Sequence, residues 1–201
     1  MIVELLTNEK HIEEMERAAA LAALTCHANT NREFIPADVL GRIIKAGHES
    51  ILEHINLTYS IKGISRALLQ EVARHRHISL SVESKRHTLK KYLNEPGGKM
   101  KLYAMIPAKF HTALEDFFYT AEGSPYLPND ELKYYLPEFF PTNLVLTSNI
   151  RELRHILSLR TAPAALKEFR DLARGMYEAV PEQYKYLLKD CVHNEADNDI
   201  D

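Results

Sequence analysis

The chain has no tryptophan, only two cysteines and only seven glycines among its 201 residues. Cys26 and Cys191 supply neither a disulfide framework nor a cysteine-rich zinc site. The longest uninterrupted apolar run is Ala18 to Leu24, far short of the roughly 20 residues that cross a bilayer. No basic stretch followed by an apolar one opens the chain, so no secretory signal is read. The cytoplasm is therefore the expected compartment, with no membrane contact. Internal repeats and low-complexity segments are missing as well. What is there is ordinary for a folded protein: 45% hydrophobic and 26% charged residues, with a net charge of −3. Those proportions exclude a disordered chain and a collagen, and the length suits one large domain.

The charge is unevenly spread. Between Arg66 and Lys91 stand seven cationic side chains, Arg66, Arg74, Arg76, Lys85, Arg86, Lys90 and Lys91, against Glu71 and Glu83. His75, His77 and His87 fall in the same stretch. An acidic chain with one cationic block suits capture of a small anion better than coating a nucleic-acid backbone. Residues 193–201 are acidic and lack an apolar anchor, so they are expected to form an unstructured tail to a single domain over 1–192.

Apolar spacing at Ile12, Met15, Ala19 and Ala22 predicts a helix over 9–23. Pro36 opens a second, with Val39, Leu40, Ile43 and Ile44 inward and Gly47 as its stop. A helical turn over 49–54 leads into the alternation Ile55, Leu57, Tyr59, Ile61, which reads as a strand. Gly63 is expected to release the chain into a helix over 65–74, and 76–88, without a clean period, reads as an ordered loop. A short strand over 100–106, helices over 108–120 and 129–136, and a strand over 142–147 follow. Asn149 and Glu152 stand at capping-box spacing ahead of a helix over 150–159. Pro163 opens the last long helix, with Leu166, Phe169, Leu172 and Ala173 inward, and Pro181 a short one. Many helices, about three strands and few strand–helix–strand units predict an α+β fold, a small and mostly antiparallel sheet flanked by helices.

Arg74-His75-Arg76, followed after seven residues by Ser84 and then Arg86, is the strongest constellation. Two arginines one residue apart cannot share a helix face, so they can hold two different groups. Their planar forks suit phosphate and carbonyl-rich rings. An isolated arginine-rich stretch is more often a solvated loop making weak surface pairs. Two further segments shift that balance: His48-Glu49-Ser50 ahead of Glu53-His54, and Asn149-Ile150-Arg151 with His155 and Arg160. Arg151 and His155 share a helix face, and an Asn-capped helix start beside an arginine is a plausible anion or carbonyl site. Taken alone, His155 beside Ile156 and Leu159 reads as a satisfied, partly buried histidine. Ten histidines also raise a metal site, but His48/His54 and His75/His77 lack the helix spacing of a zinc protease and no cysteine pair helps.

The Arg-His-Arg, seven residues, Ser pattern resembles the signature of the flavin-dependent thymidylate synthases. Gly47-His48-Glu49-Ser50 with Glu53-His54 is similar to that family's segment ahead of its first strand. Asn149 through Arg160 resembles its C-terminal site helix, and Leu187 to Cys191 the ending of some members. The likeness extends over about residues 1–192. It implies a homotetramer whose sites lie between subunits and hold FAD, dUMP and a folate. By position, His48, Ser50, Arg74, His75, Arg76, Asn149, Arg151 and His155 match the flavin-binding places. Glu71, Arg74, Ser84, Lys85, Arg86, Lys133 and Arg160 match the dUMP-binding places, and Arg160 the residue that stabilises negative charge on the uracil ring. The implied reaction is reductive methylation of dUMP to dTMP, with methylenetetrahydrofolate as carbon donor and FAD reduced by NADPH as hydride source.

Three positions depart from the pattern. Val82 stands where an acidic or amide residue is usual, His87 where Tyr is frequent, and Lys133 where an Arg can occur. A lysine gives phosphate a point charge rather than a fork. The departures leave room for a same-fold flavoenzyme making a different one-carbon-modified pyrimidine nucleotide. A nucleic-acid-binding module using the basic segment 66–91 is a weaker alternative, since no aromatic platform accompanies it. Neither cysteine suits attack on a uracil ring: Cys26 ends an apolar helix, where a buried thiol is expected, and Asp190 beside Cys191 raises the thiol's pKa.

Overall fold

Leu57, Tyr59 and Ile61 alternate because one face of their strand is hidden. In the computed structural model, which describes residues 1–30, 33–123 and 127–194, all three are buried. The strands are β1 (Ile2–Leu5), β2 (Asn56–Ser65), β3 (Ile78–Val82) and β4 (Pro141–Asn149), in one antiparallel sheet of order β1-β2-β4-β3. The helices are α1 (Glu9–Thr25), α2 (Pro36–Lys45), α3 (Arg66–Val72), α4 (Lys85–Asn94), α5 (Gly98–Met105), α6 (His111–Gly123), α7 (Asn129–Leu132), α8 (Ile150–Arg160) and α9 (Lys167–Glu178). Thr58 marks the register. Its carbonyl accepts from the Leu6 amide at 2.8 Å, its amide donates to Thr7 Oγ1 at 2.9 Å, and its hydroxyl meets that of Thr147 at 2.9 Å. The tail expected over 193–201 lies outside the described residues beyond Asn194. Among the described residues no helix is long and apolar enough to cross a membrane.

The chain divides into two compact units. The first takes in residues 1–61, 75–80 and 145 onward. Within it, Asn8 caps α1 by accepting from the His11 amide at 2.9 Å, and α1 packs on α2 and on the 3-10 turn Glu49–His54. Asn149 caps α8 in the same way, accepting from the Glu152 amide at 2.8 Å. Helix α8 buries Ile150, Leu153, Ile156 and Leu157 and packs on that turn and on α9, which in turn lies against β1. Arg154, only 5% exposed, is pinned on all sides. Its Nε donates to Glu49 at 2.9 Å, its Nη1 to the Leu187 carbonyl at 2.7 Å, and its fork to both Asp190 oxygens at 2.7 Å. A buried guanidinium is tolerated only when its donors are met in this way.

The second unit takes in residues 62–74 and 81–144. Its core gathers Leu89, Leu102, Leu114, Phe117, Leu132 and Phe140, with α4 packed on α5 and α7. Gly97 begins α5 from the left-handed region at φ +74°, and a Cβ on Gly98 would collide with the Tyr92 carbonyl, so both glycines are required.

Several expected elements differ. Residues 76–88 are not a loop but β3 and the start of α4; Ile78, Leu80 and Val82 alternate with Ser79 and Ser81, a strand signal of only five residues whose apolar members are at most half buried. The stretch 100–106 is helical, not extended. Leu102 and Ile106, four apart, are buried while Met100 is 73% exposed, a pattern that the alternation of apolar residues disguised. Gly63 does not end β2; it sits inside the strand at φ +75°, with its amide donating to Asn143 Oδ1, and Ser65 caps α3. The stretch 108–120 is a 3-10 turn, Ala108–Phe110, followed by α6, and 129–136 is α7 followed by the turn Lys133–Tyr135. The last long helix begins at Lys167, leaving Leu166 exposed as its cap rather than inward. Strand β1 was not anticipated, and Cys26, expected to be buried, is exposed at the end of α1.

Replacing Arg154 by Leu strands Asp190 and Glu49 without their partner. Asp190 is half exposed and can rehydrate, so the expected loss is about 2 to 3 kcal/mol, below the usual figure for a wholly buried pair. It is read as a lower urea midpoint at unchanged slope. The Arg154 hydrogen bonds hold the Asp190 carboxyl below its ordinary value. Their stabilisation is therefore present above the ordinary Asp pKa and fades as pH falls through the lowered one; the variant should lack that acid limb.

Candidate functional site

The Arg-His-Arg tripeptide follows α3, and its members are not equivalent. Arg74 and Arg76 are exposed, whereas His75 is 7% exposed. Arg74, in the second unit, lies 3.5 Å from Glu71 across one helical turn. His75, in the first unit, is received by α8 and α9. Its Nδ1 is 3.1 Å from Glu152 Oε1, and its Nε2 is 3.2 Å from Arg160 Nε. The edge of its ring meets His155 and Phe169, with centroids 5.9 and 5.7 Å away. The Arg160 guanidinium lies over the same Phe169 ring at 4.6 Å. The two segments singled out around 74–76 and 149–160 therefore meet in space.

An arginine Nε–H only donates, so His75 Nε2 must accept and the ring proton sits on Nδ1, directed at Glu152. The pKa of His75 is lowered, first by burial and further by the Arg160 charge, against the pull of Glu152. The imidazole is thus neutral at neutral pH, and its contact with Glu152 is a hydrogen bond rather than a salt bridge. Glu152 was anticipated only as half of a capping box. Its amide does donate to Asn149, but its carboxylate turns inward to His75. The signal that could have found it is a carboxylate on the same helix face as Ile156 and Leu153, all buried.

A cleft of about 470 Å³ opens beside this group, with Asn149, Arg151, His155 and Glu152 on its wall and His77 at its edge. Arg151 reaches across it to Glu53 at 2.6 Å, both side chains about half exposed. Such a pair is held weakly and can reorganise around a ligand. The amide, guanidinium and imidazole on that wall suit a pyrophosphate or the carbonyl edge of a ring. His48 is not part of this cleft; it lines a larger hollow of about 830 Å³ beside α1 and α2. Ser50 is exposed on the 3-10 turn, and Arg76 is exposed ahead of β3.

The second unit holds the other anticipated residues. Ser84 and Arg86 are exposed at the start of α4, where Arg86 Nε lies 3.1 Å from Asp130. Lys133 lies over the Tyr134 ring at 5.5 Å. Lys85 is turned inward: its Nζ is 3.1 Å from Glu83 and lies over the rings of Tyr92 and Phe140 at 4.8 and 5.4 Å. Burial pulls its pKa down, against the Glu83 charge. Glu83 also accepts from Asn143 Nδ2 at 2.7 Å and Tyr92 Oη at 3.0 Å. Lys85 therefore anchors the turn carrying Ser84 and Arg86 rather than offering a charge to solvent. Arg66, Arg74 and Arg86 each face a carboxylate. Val82 and His87 are exposed.

Comparison with known proteins places the chain in a family. A family model described as thymidylate synthase complementing protein matches residues 7–184. A flavin-dependent thymidylate synthase of Campylobacter jejuni (strain RM1221) is 40% identical over 184 residues, 86% of each chain. One from Helicobacter pylori (strain 26695) is 37% identical over 161 residues, 72% of this chain and 76% of that one. The crystal structure of thymidylate synthase X from Helicobacter pylori with FAD and dUMP superposes with a TM-score of 0.81 at 30% identity, covering 96% of this chain and all of that one.

Lys85→Met keeps the stem and removes the ammonium. Because Glu83 retains Asn143 and Tyr92 as donors, the expected loss is about 1 to 2 kcal/mol, less than for a carboxylate left without partners. Thermal unfolding of the purified variant checks it; an unchanged melting temperature would contradict the inward anchoring of Lys85.

Proposed function

The chain belongs to the flavin-dependent thymidylate synthase family, and on that premise we propose that it converts dUMP to dTMP with FAD as its cofactor. The observation that carries this reading is the meeting of His75 with Arg160 and Glu152, since it joins the two segments on which the family likeness rests. Asn149, Arg151 and His155 would hold the flavin from the cleft wall, where their donor set fits a ligand rich in phosphate and carbonyl oxygens. Exposed Ser84 and Arg86 would take the nucleotide phosphate, with Arg74, Glu71 and Lys133 around it. Lys85 contributes by holding that turn. His48 and Ser50 would lie at the flavin's periphery.

In full, dUMP, methylenetetrahydrofolate, NADPH and a proton give dTMP, tetrahydrofolate and NADP⁺. Reduced flavin, when bound, supplies the hydride that completes the methyl group. The protein's share is electrostatic. A proton must leave carbon five of the uracil, and the Arg160 guanidinium offers fixed positive charge to the ring oxygen on which negative charge gathers. No cysteine is needed. Burial, helped by the Asp190 charge, pushes the Cys191 thiol up to about 11, so it is protonated and a poor nucleophile at neutral pH. Cys26 is exposed at the end of α1.

The family model spans both compact units, which supports reading 1–192 as one catalytic domain. We further propose a homotetramer in which Arg74 and Ser84 of one subunit serve Arg160 of another. Mixing Arg74→Ala with Arg160→Ala protein under subunit exchange should then restore activity that neither has alone; no recovery would contradict shared sites.

The protein is expected to shift the spectrum of added FAD and to be bleached by NADPH. The Cys26→Ala, Cys191→Ala double variant should still make dTMP at a near-normal rate, while Arg160→Ala should lose about 10²-fold or more in kcat yet keep its flavin. A cysteine-free protein that binds FAD and dUMP but makes no dTMP would refute the mechanism.

A further inference from the structure

We propose that Glu152 is a positioning residue for the reaction: through His75 it fixes the direction in which Arg160 presents its guanidinium. The inference rests on the reading of Arg160 given above, but the arrangement behind it is in the first unit alone. Glu152 and His75 are 8% and 7% exposed, so neither can exchange its partner for water without cost. Glu152 Oε1, 3.1 Å from Nδ1, selects the tautomer with hydrogen on that nitrogen. The opposite nitrogen is then a lone pair, and at 3.2 Å it takes the Arg160 Nε–H. Phe169 lies under the guanidinium at 4.6 Å and closes a second direction. With its Nε edge held by the imidazole and one face held by the ring, the guanidinium plane has a single orientation.

Reversing the tautomer destroys this. A hydrogen on Nε2 would point at the Arg160 N–H, donor against donor, and the guanidinium would have to turn away. Protonation does the same and adds repulsion between two cations. The charged and titratable groups that face His75 are Glu152, His155 and Arg160, all on α8, and α9 meets it with the uncharged Phe169. Of the α8 groups, Glu152 favours the imidazolium, while His155 and Arg160 oppose it. Glu152 therefore has two effects that separate on substitution. As an acceptor it sets the tautomer, which a neutral amide can also do. As a negative charge it raises the pH at which His75 protonates, which an amide cannot do.

The test compares Glu152→Gln, Glu152→Leu and wild type, each loaded with FAD. In ¹⁵N-labelled protein, with the His75 signals assigned from a His75→Asn spectrum, wild type and Glu152→Gln should show the hydrogen on Nδ1 at neutral pH, and Glu152→Leu a mixture. In turnover, Glu152→Gln should keep most of kcat and move the acid limb of its pH profile to lower pH. Glu152→Leu should lose roughly tenfold in kcat, since a misdirected donor costs less than the ~10²-fold of an absent one. Should Leu merely unfold the protein, the Gln variant still decides through the limb. Wild-type His75 with its hydrogen on Nε2, or an acid limb unmoved in Glu152→Gln, overturns the inference. The tautomer is read without turnover, so the right tautomer in a protein that makes no dTMP overturns the proposed function and not the geometry.

Discussion

Helix α8 buries two opposite charges two residues apart, Glu152 and Arg154, at 8% and 5% exposure. A helix turns about 200° over that interval, so the two side chains leave it on different sides. Neither can remain buried unless something meets it. Each charge therefore dictates what lies on its side of the helix. Glu152 requires His75, and so fixes where the segment 75–80 crosses the first unit. Arg154 requires Glu49, Asp190 and the Leu187 carbonyl, and so fixes the 3-10 turn at 49–54 and the C-terminal 3-10 turns. The cleft wall follows from both, because Glu49 and Glu152 border it. An apolar helix at this place could pack as tightly but would orient nothing.

The second unit solves a similar problem differently. Lys85 is buried beside Glu83 and between aromatic rings, and Glu83 gathers Tyr92 and Asn143 as well. Asn143 in turn receives the Gly63 amide on its Oδ1. One carboxylate thus joins the end of β3, the first turn of α4 and strand β4. Exposed Ser84 and Arg86 flank the buried lysine, so their placement inherits the rigidity of this network. The cationic block seen in the sequence is for this reason not a uniform patch. Arg74, Arg76 and Arg86 are exposed, whereas Lys85 turns inward and holds the turn.

Legibility in the sequence followed the strength of local signals. Helix α1 was readable from its apolar stripe, and α8 from Asn149 at capping-box spacing from Glu152. Strand β2 was readable because it alternates fully buried and solvated residues. The failures share a cause. Edge strand β3 has only five residues and is half buried on one face, and α5 carries Leu102 and Ile106 at a spacing that fits a helix and a strand equally well. Side-chain destinations were less legible than elements. Spacing along the chain shows that Lys85 adjoins Ser84, but only the packing of Tyr92 and Phe140 turns its ammonium inward. Likewise, Glu152 looked like a cap partner because its best-matched local role is real, and its carboxylate's partner is 77 residues away.

That distinction changes how the Arg-His-Arg signature is understood. Three consecutive polar residues suggest three ligand contacts, yet here the outer two are exposed and the central one is buried. The tripeptide also marks the passage of the chain from one compact unit to the other, Arg74 belonging to the second and His75 to the first. The three residues lie in the turn between α3 and β3, ahead of the strand's regular alternation. With His75 turned inward, Arg74 and Arg76 on either side of it are exposed. Replacing His75 with a larger or charged side chain would leave Glu152 and Arg160 without their shared partner. Between Glu152 and Arg160 the position calls for a small, neutral ring with one donor and one acceptor, which histidine supplies.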